Sequence, residues 1–101
     1  MSTDDAVKPL VEATTLADNL SKDSGRISIS IWLLRFGFVI EATTVVRGEI
    51  LRLRKNVSFE DVFRANGPLL ATAVQHTHDE LERNRVEQER AYSAYQESSA
   101  A

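Results

Sequence analysis

A chain of 101 residues with 43% hydrophobic and 27% charged side chains has the composition of one small globular domain. It has no cysteine, which excludes disulfides, thiolate nucleophiles and thiolate metal sites, and fits a cytoplasmic or other intracellular location. The formal charge of −3 is unevenly spread: residues 1–25 sum to −3, residues 26–64 to +3 and residues 65–101 to −3, a pattern that guides association more than it marks a nucleic-acid binder.

Residues 1–7 and 97–101 read as flexible ends of this single domain, and MSTDDAVKPL lacks the basic-then-apolar run of a secretory signal. Pro9 suits a first helical turn. Leu10, Ala13, Ala17 and Leu20 follow at helical spacing, so an amphipathic helix is predicted over 8–21. SKDSG, residues 21–25, reads as a loop.

The next stretch, ISISIWLLRFGFVIEATTVV (27–46), carries only two charges, Arg35 and Glu41, and has three readings. A membrane span is the first, and its length suffices. However, each central charge costs about 2.5–3.5 kcal/mol, while each large apolar residue returns only about 0.3–0.6 kcal/mol, so no span is expected. The second reading is a set of strands. Twelve of the twenty residues are β-branched or aromatic, and Ile27, Ile29, Ile31 and Leu33 alternate with Ser28 and Ser30. Turns at Gly37 and Gly48 would then make a meander, with Leu51 and Leu53 alternating with Arg52 and Arg54.

The third reading is a helix over 26–55. Between Arg26 and Lys55 there is no Pro, Asn or Asp, and a meander normally needs turn chemistry twice in that span. On a helix Ser30, Gly37, Glu41, Thr44, Gly48, Arg52 and Lys55 form one polar or small stripe, and Arg47, Arg52, Arg54 and Lys55 complement the C-terminal dipole. The helix is the expectation taken. Within it Arg35 lies about 120° around the axis from Glu41. Glu41 should therefore meet an arginine of another helix or another chain.

Ser58 can cap a short helix over 58–65, with Glu60 and Asp61 in its first turn, Phe59, Val62 and Phe63 as its apolar face, and Asn66-Gly67-Pro68 as its stop. A last helix over 68–96 carries Leu70, Val74, Thr77, Leu81, Asn84, Gln88, Ala91 and Tyr95 at the 4–3 spacing of a coiled-coil seam. The predicted fold is all-α: a small helical bundle with a long central helix and a coiled-coil-like C-terminal helix. The alternative is α+β with a hairpin or meander at about 27–54.

No catalytic constellation appears, so the chain is not read as an enzyme, and no cofactor is implied. His76 and His78 project to different sides of a helix, and an i,i+4 pair with Glu80 or Glu82 gives too few ligands for a structural metal. RGEILRLRK, with Arg47, Arg52, Arg54 and Lys55, is the only basic cluster and supplies the alternative function, a small nucleic-acid-binding regulator. The preferred function is a non-catalytic protein–protein interaction module, acting as an assembly, adaptor or inhibitor subunit with a protein partner or as a homo-oligomer. Its expected interface residues are Trp32, Phe36, Phe38, Val39 and Glu41 on the central helix, and Leu70, Val74, Leu81 and Asn84 on the last.

Overall fold

The computed structural model describes the backbone of residues 3–64 and 69–100 and the side chains of residues 8–23, 25–62 and 69–95. Within it, residues 26–55 are strands. The order is α1 (Thr3–Ser24), β1 (Ser28–Leu33), β2 (Gly37–Val46), β3 (Glu49–Ser58), α2 (Phe59–Arg64) and α3 (Leu69–Ala100). The three strands form one antiparallel meander in the order β1-β2-β3. The fold is therefore α+β, and the all-α bundle with a long central helix is corrected to the meander held as its alternative. The density of β-branched and aromatic residues prevails over the missing turn residues.

Two turns form from unusual residues. Between β1 and β2, Arg35 and Phe36 make the bend, and the Leu34 N–H donates to the Gly37 carbonyl at 2.8 Å. Between β2 and β3 the bend is Arg47-Gly48, with φ of 53° and 82°. Positive φ at both central residues is the pattern of a type I′ hairpin turn, where Asn or Asp usually precedes the glycine. Arginine in this left-handed region costs about 1–2 kcal/mol. The Arg47 guanidinium lies 4.5 Å from the centre of the Tyr92 ring, and that cation–π contact offsets part of the cost.

The pairing puts Ile29, Ile31, Phe38, Ile40, Ala42, Leu51, Leu53 and Val57 on one face of the sheet. Helices α1 and α3 pack there. One cluster joins Ala13 and Ala17 of α1, Phe38 and Ile40 of β2, Val62 of α2, and Leu70 and Val74 of α3. A second joins Ile27, Ala42 and Leu81. Phe38 and Phe59 meet edge to face, with centroids 5.2 Å apart, and tie the sheet to the start of α2.

The helix ends follow local chemistry. Ser58 Oγ accepts the Asp61 N–H at 3.1 Å, the expected cap. SKDSG is the last turn of α1 and its cap rather than a loop: Gly25 has φ of 60°, and its N–H donates to the Ser21 carbonyl at 3.0 Å. Asn66-Gly67-Pro68, the expected stop, lies outside the described residues. Residues 3–7 and 97–100, expected to be flexible, continue α1 and α3, while residues 1, 2 and 101 fall outside the described backbone.

Helix α3 runs along the sheet in the direction of β2. Leu70 joins the cluster of Phe38, and Tyr92 lies under Arg47 at the far turn. At about 1.5 Å per residue its 32 residues span about 48 Å. Strand β2 has 10 residues, which span about 33 Å, so the last turns of α3 pass beyond the sheet. The predicted seam Leu70, Val74, Thr77 and Leu81 is fully buried, but under this chain's own sheet rather than in a coiled coil. Beyond it Asn84, Gln88, Ala91 and Tyr95 are exposed.

Candidate interaction surface

Alternation along a strand sends every second residue away from the helices. The register therefore places Ser28, Ser30 and Trp32 of β1, Val39, Glu41, Thr43 and Val45 of β2, and Ile50, Arg52, Arg54 and Asn56 of β3 on the opposite face. Among the described residues no helix or strand covers that face.

The open face is organised in rows across the strands. Trp32, Val39 and Asn56 form the row beside the Arg35-Phe36 turn. Ser30, Glu41 and Arg54 come next, followed by Ser28, Thr43 and Arg52. Val45 and Ile50 close the far end. Apolar groups thus sit at both ends with charges between them. Trp32 is 52% exposed and Val45 and Ile50 are each 64% exposed. At the first turn Leu33, Leu34 and Phe36 are also exposed, and Phe36 is 81% so. These side chains extend the Trp32 end into an apolar tip.

Glu41 finds its arginine on the neighbouring strand, not on another helix or chain. The Arg54 Nε–H donates to Glu41 Oε2 at 3.0 Å, and its Nη2–H donates to the same oxygen. Arg52 stands 3.7 Å from the other carboxylate oxygen. The Arg54 hydrogen bond holds the Glu41 carboxyl below the usual carboxylate range. Glu41 is sequestered, with 15% of its side chain exposed, while Arg52 and Arg54 stay more than half exposed.

The structure divides the sequence-predicted site residues. Trp32, Phe36, Val39, Glu41 and Asn84 lie at the surface or partly so. Phe38, Leu70, Val74 and Leu81 are buried in the chain's own core, which corrects their assignment to a partner interface. On the expected helix Phe38 belonged to the apolar surface that a partner would cover, whereas strand alternation turns it into this chain's own core. The basic segment 47–55 is also split. Arg52 and Arg54 face outward, Arg47 covers Tyr92, and the Lys55 Nζ pairs with Glu80 Oε2 at 2.8 Å on the helix side. Val45 and Ile50 escaped the sequence reading, although their alternation with Thr44 and Leu51 becomes plain once a turn is set at Gly48.

The paired histidines are not gathered at a site. His78 turns Nδ1 toward Asp79 Oδ1 at 3.1 Å, and Glu80 and Glu82 are engaged by Lys55 and Arg85. Among the described residues no three His, Asp or Glu side chains come together to hold a metal.

Several acids are held below the usual carboxylate range: Glu41 by Arg54, Glu80 by Lys55, Glu82 by Arg85, and Asp79 by His78. A carboxyl whose pKa is lower when folded stabilises the fold above its unfolded pKa, and this contribution is lost as pH falls through the folded value. Melting temperature should therefore fall on acidification from about pH 5 to pH 3. Glu82→Gln should melt lower than the parent at neutral pH and show a shallower acid decline, as calorimetry across that range would register.

Among the described residues no helix is long and apolar enough to cross a membrane. Comparison with known protein families, with curated proteins and with solved structures finds no match for this chain.

Proposed function

We propose that this chain is a non-catalytic protein–protein interaction module, an assembly, adaptor or inhibitor subunit, that docks a protein partner on its open sheet face. The observation that carries this reading is the exposure of Trp32, Val45 and Ile50 on a sheet face that no helix or strand among the described residues covers. A sheet normally buries one face and solvates the other with polar residues. Here the second face keeps large apolar groups exposed at both ends, and exposed apolar groups gathered on one surface mark an interaction site. The lack of cysteine fits an intracellular setting.

Charge favours a different protein over a second copy. The face carries Arg52 and Arg54 against Glu41. A two-fold copy centred on β2 sets either Glu41 against Glu41 or the arginine row against itself, and like charges opposed across an interface are costly. The fitting partner is acidic at its centre with apolar flanks.

Ile50→Glu tests this reading. Its side chain is largely exposed, so stability should change by no more than about 0.5 kcal/mol. The tagged parent purified from its native cell should carry one protein in fixed proportion, and Ile50→Glu should lose it at an unchanged melting temperature. Equal recovery of that protein by both forms would contradict the docking face. Tight binding of generic DNA or RNA that weakens steeply with salt, and fails in the Arg52→Ala, Arg54→Ala double variant, would instead favour a nucleic-acid-binding regulator.

A further inference from the structure

The Leu34 N–H donates to the Gly37 carbonyl, so these residues form a hydrogen-bonded pair beside the first turn. Such pairs alternate with non-bonded ones along an antiparallel ladder. Ser28, Ser30 and Trp32 therefore direct their backbone N–H and C=O groups toward Thr43, Glu41 and Val39 of β2. The backbone groups of Ile29, Ile31 and Leu33 point the other way, out of the sheet edge. The second hairpin agrees. Its two-residue turn makes Val46 and Glu49 a bonded pair, which commits the even-numbered residues of β2 to β3 and leaves the odd-numbered ones to β1. Among the described residues no strand lies on the outer side of β1.

The edge of β3 is guarded and the edge of β1 is not. On β3 the outward backbone belongs to Ile50, Arg52, Arg54 and Asn56, with Lys55 between them, and basic side chains on an edge discourage the addition of another strand. Residues 28–34, SISIWLL, contain no charge, proline or glycine, and the nearest charges, Arg26 and Arg35, lie beyond the two ends. Leu33 is a second, independent sign. It stands opposite Phe38 and so faces the helix side of the sheet, yet it is 55% exposed where Phe38 is 1% exposed. Phe38 has a strand on either side, whereas Leu33 has one on a single side.

We propose that β1 pairs antiparallel with β1 of a second copy across a two-fold axis, joining two three-stranded sheets into one. Only registers that oppose the outward backbone groups of both strands can bond. The register that engages all three residues sets Ile31 against Ile31, and Leu33 against Ile29 of the second copy. It supplies about six N–H···O bonds and covers the exposed Leu33 with an isoleucine on the helix side. Charge favours a second copy here, in contrast to the open face: the strand opposes no like charges when paired with itself, and its serine-out, isoleucine-in alternation matches its own. The dimer leaves the open face free, so it goes beyond the docking of a different protein there and is tested separately.

Sedimentation and amide hydrogen exchange of the purified full chain test this with no other protein present. The chain should be dimeric at about 200 μM and dissociate on dilution. In the dimer the Ile29, Ile31 and Leu33 amides should exchange at least about tenfold more slowly than in the dilute monomer. The Ser30 and Trp32 amides, already bonded to β2, should change little. Leu33→Lys sets a charge on the edge through an exposed side chain, so it should keep the parent's circular dichroism while weakening the dimer roughly tenfold or more. A chain that stays monomeric at about 200 μM overturns the pairing. So does a dimer whose Ile29, Ile31 and Leu33 amides exchange as fast as in the monomer, or one that Leu33→Lys leaves equally tight.

Discussion

Gly37→Ala should destabilise the domain by about 3 kcal/mol, the range of a forced overpacking. A Cβ at this position would lie 2.2 Å from the Val57 carbonyl oxygen and 2.8 Å from the Ser58 Cα. Both obstacles are backbone of the neighbouring strand, where Gly37 pairs with Ser58. Neither can rotate away as a side chain could, so β2 and β3 must separate just where β3 passes into α2. At roughly 4–8 °C per kcal/mol, the melting temperature should drop by more than about 10 °C. Gly48→Ala is the contrasting substitution. Gly48 also has an unusual backbone, with φ of 82°, but an added Cβ meets nothing within 4 Å. Its cost is only the left-handed conformation, about 1–2 kcal/mol. Equal losses from the two variants would show that the close approach of β3 to Gly37 does not exist.

Phe38→Ala should cost about 3–5 kcal/mol, whereas Trp32→Ala should cost less than about 1 kcal/mol. Both residues are large aromatics of the same hairpin, and the sequence marks both as partner contacts. The structure separates them. Phe38 is 1% exposed and meets the Phe59 ring edge to face, in a cluster that includes Leu70 and Val74. Trp32 is 52% exposed on the other side of the sheet. Denaturant unfolding of the isolated chain should show the large loss for Phe38→Ala only. Partner binding should show the reverse order: Trp32→Ala weakens it at nearly full stability. A helix over 26–55 would make no such division, because the two residues are six positions apart and only strand alternation with a turn between them sets them on opposite faces.

The sequence shows its helices more plainly than its sheet, for reasons that rest on particular residues. Ala13 and Ala17 repeat at helical spacing, and small side chains at those positions let α1 lie close to its neighbours. Leu70, Val74, Thr77 and Leu81 mark the buried side of α3, although spacing alone does not reveal that a sheet lies over it. Ser58 with Asp61 shows where α2 begins. The sheet was obscured because neither turn uses the expected residues. Arg47 takes a left-handed conformation that Asn or Asp normally fills, and Tyr92, far along the chain, supplies a compensating contact. The first turn is Arg35-Phe36, with an apolar residue at its tip, and its glycine serves a close strand crossing rather than the bend.

The partner of Glu41 follows from the second turn. Once Arg47-Gly48 is the bend, Glu41 and Arg54 are equally far from it and must stand side by side. The sequence reading sought an arginine beyond the local helix, and tertiary pairing supplies it from the adjacent strand. The open face was hidden by the same error. A helix would set Trp32, Val39 and Ile50 on one side and Val45 about 140° away, whereas the meander places Val45 beside Ile50 on the surface that carries Trp32 and Val39.

The central claim is that this surface is where the partner sits. A photoreactive amino acid placed at Val45 or Ile50, and in a control at the exposed Thr14 of α1, tests it in the native cell. Irradiation should give one discrete covalent adduct with a protein from either sheet position and none from Thr14. Adducts from Thr14 with none from Val45 or Ile50 would place the partner on the helical side and contradict the account.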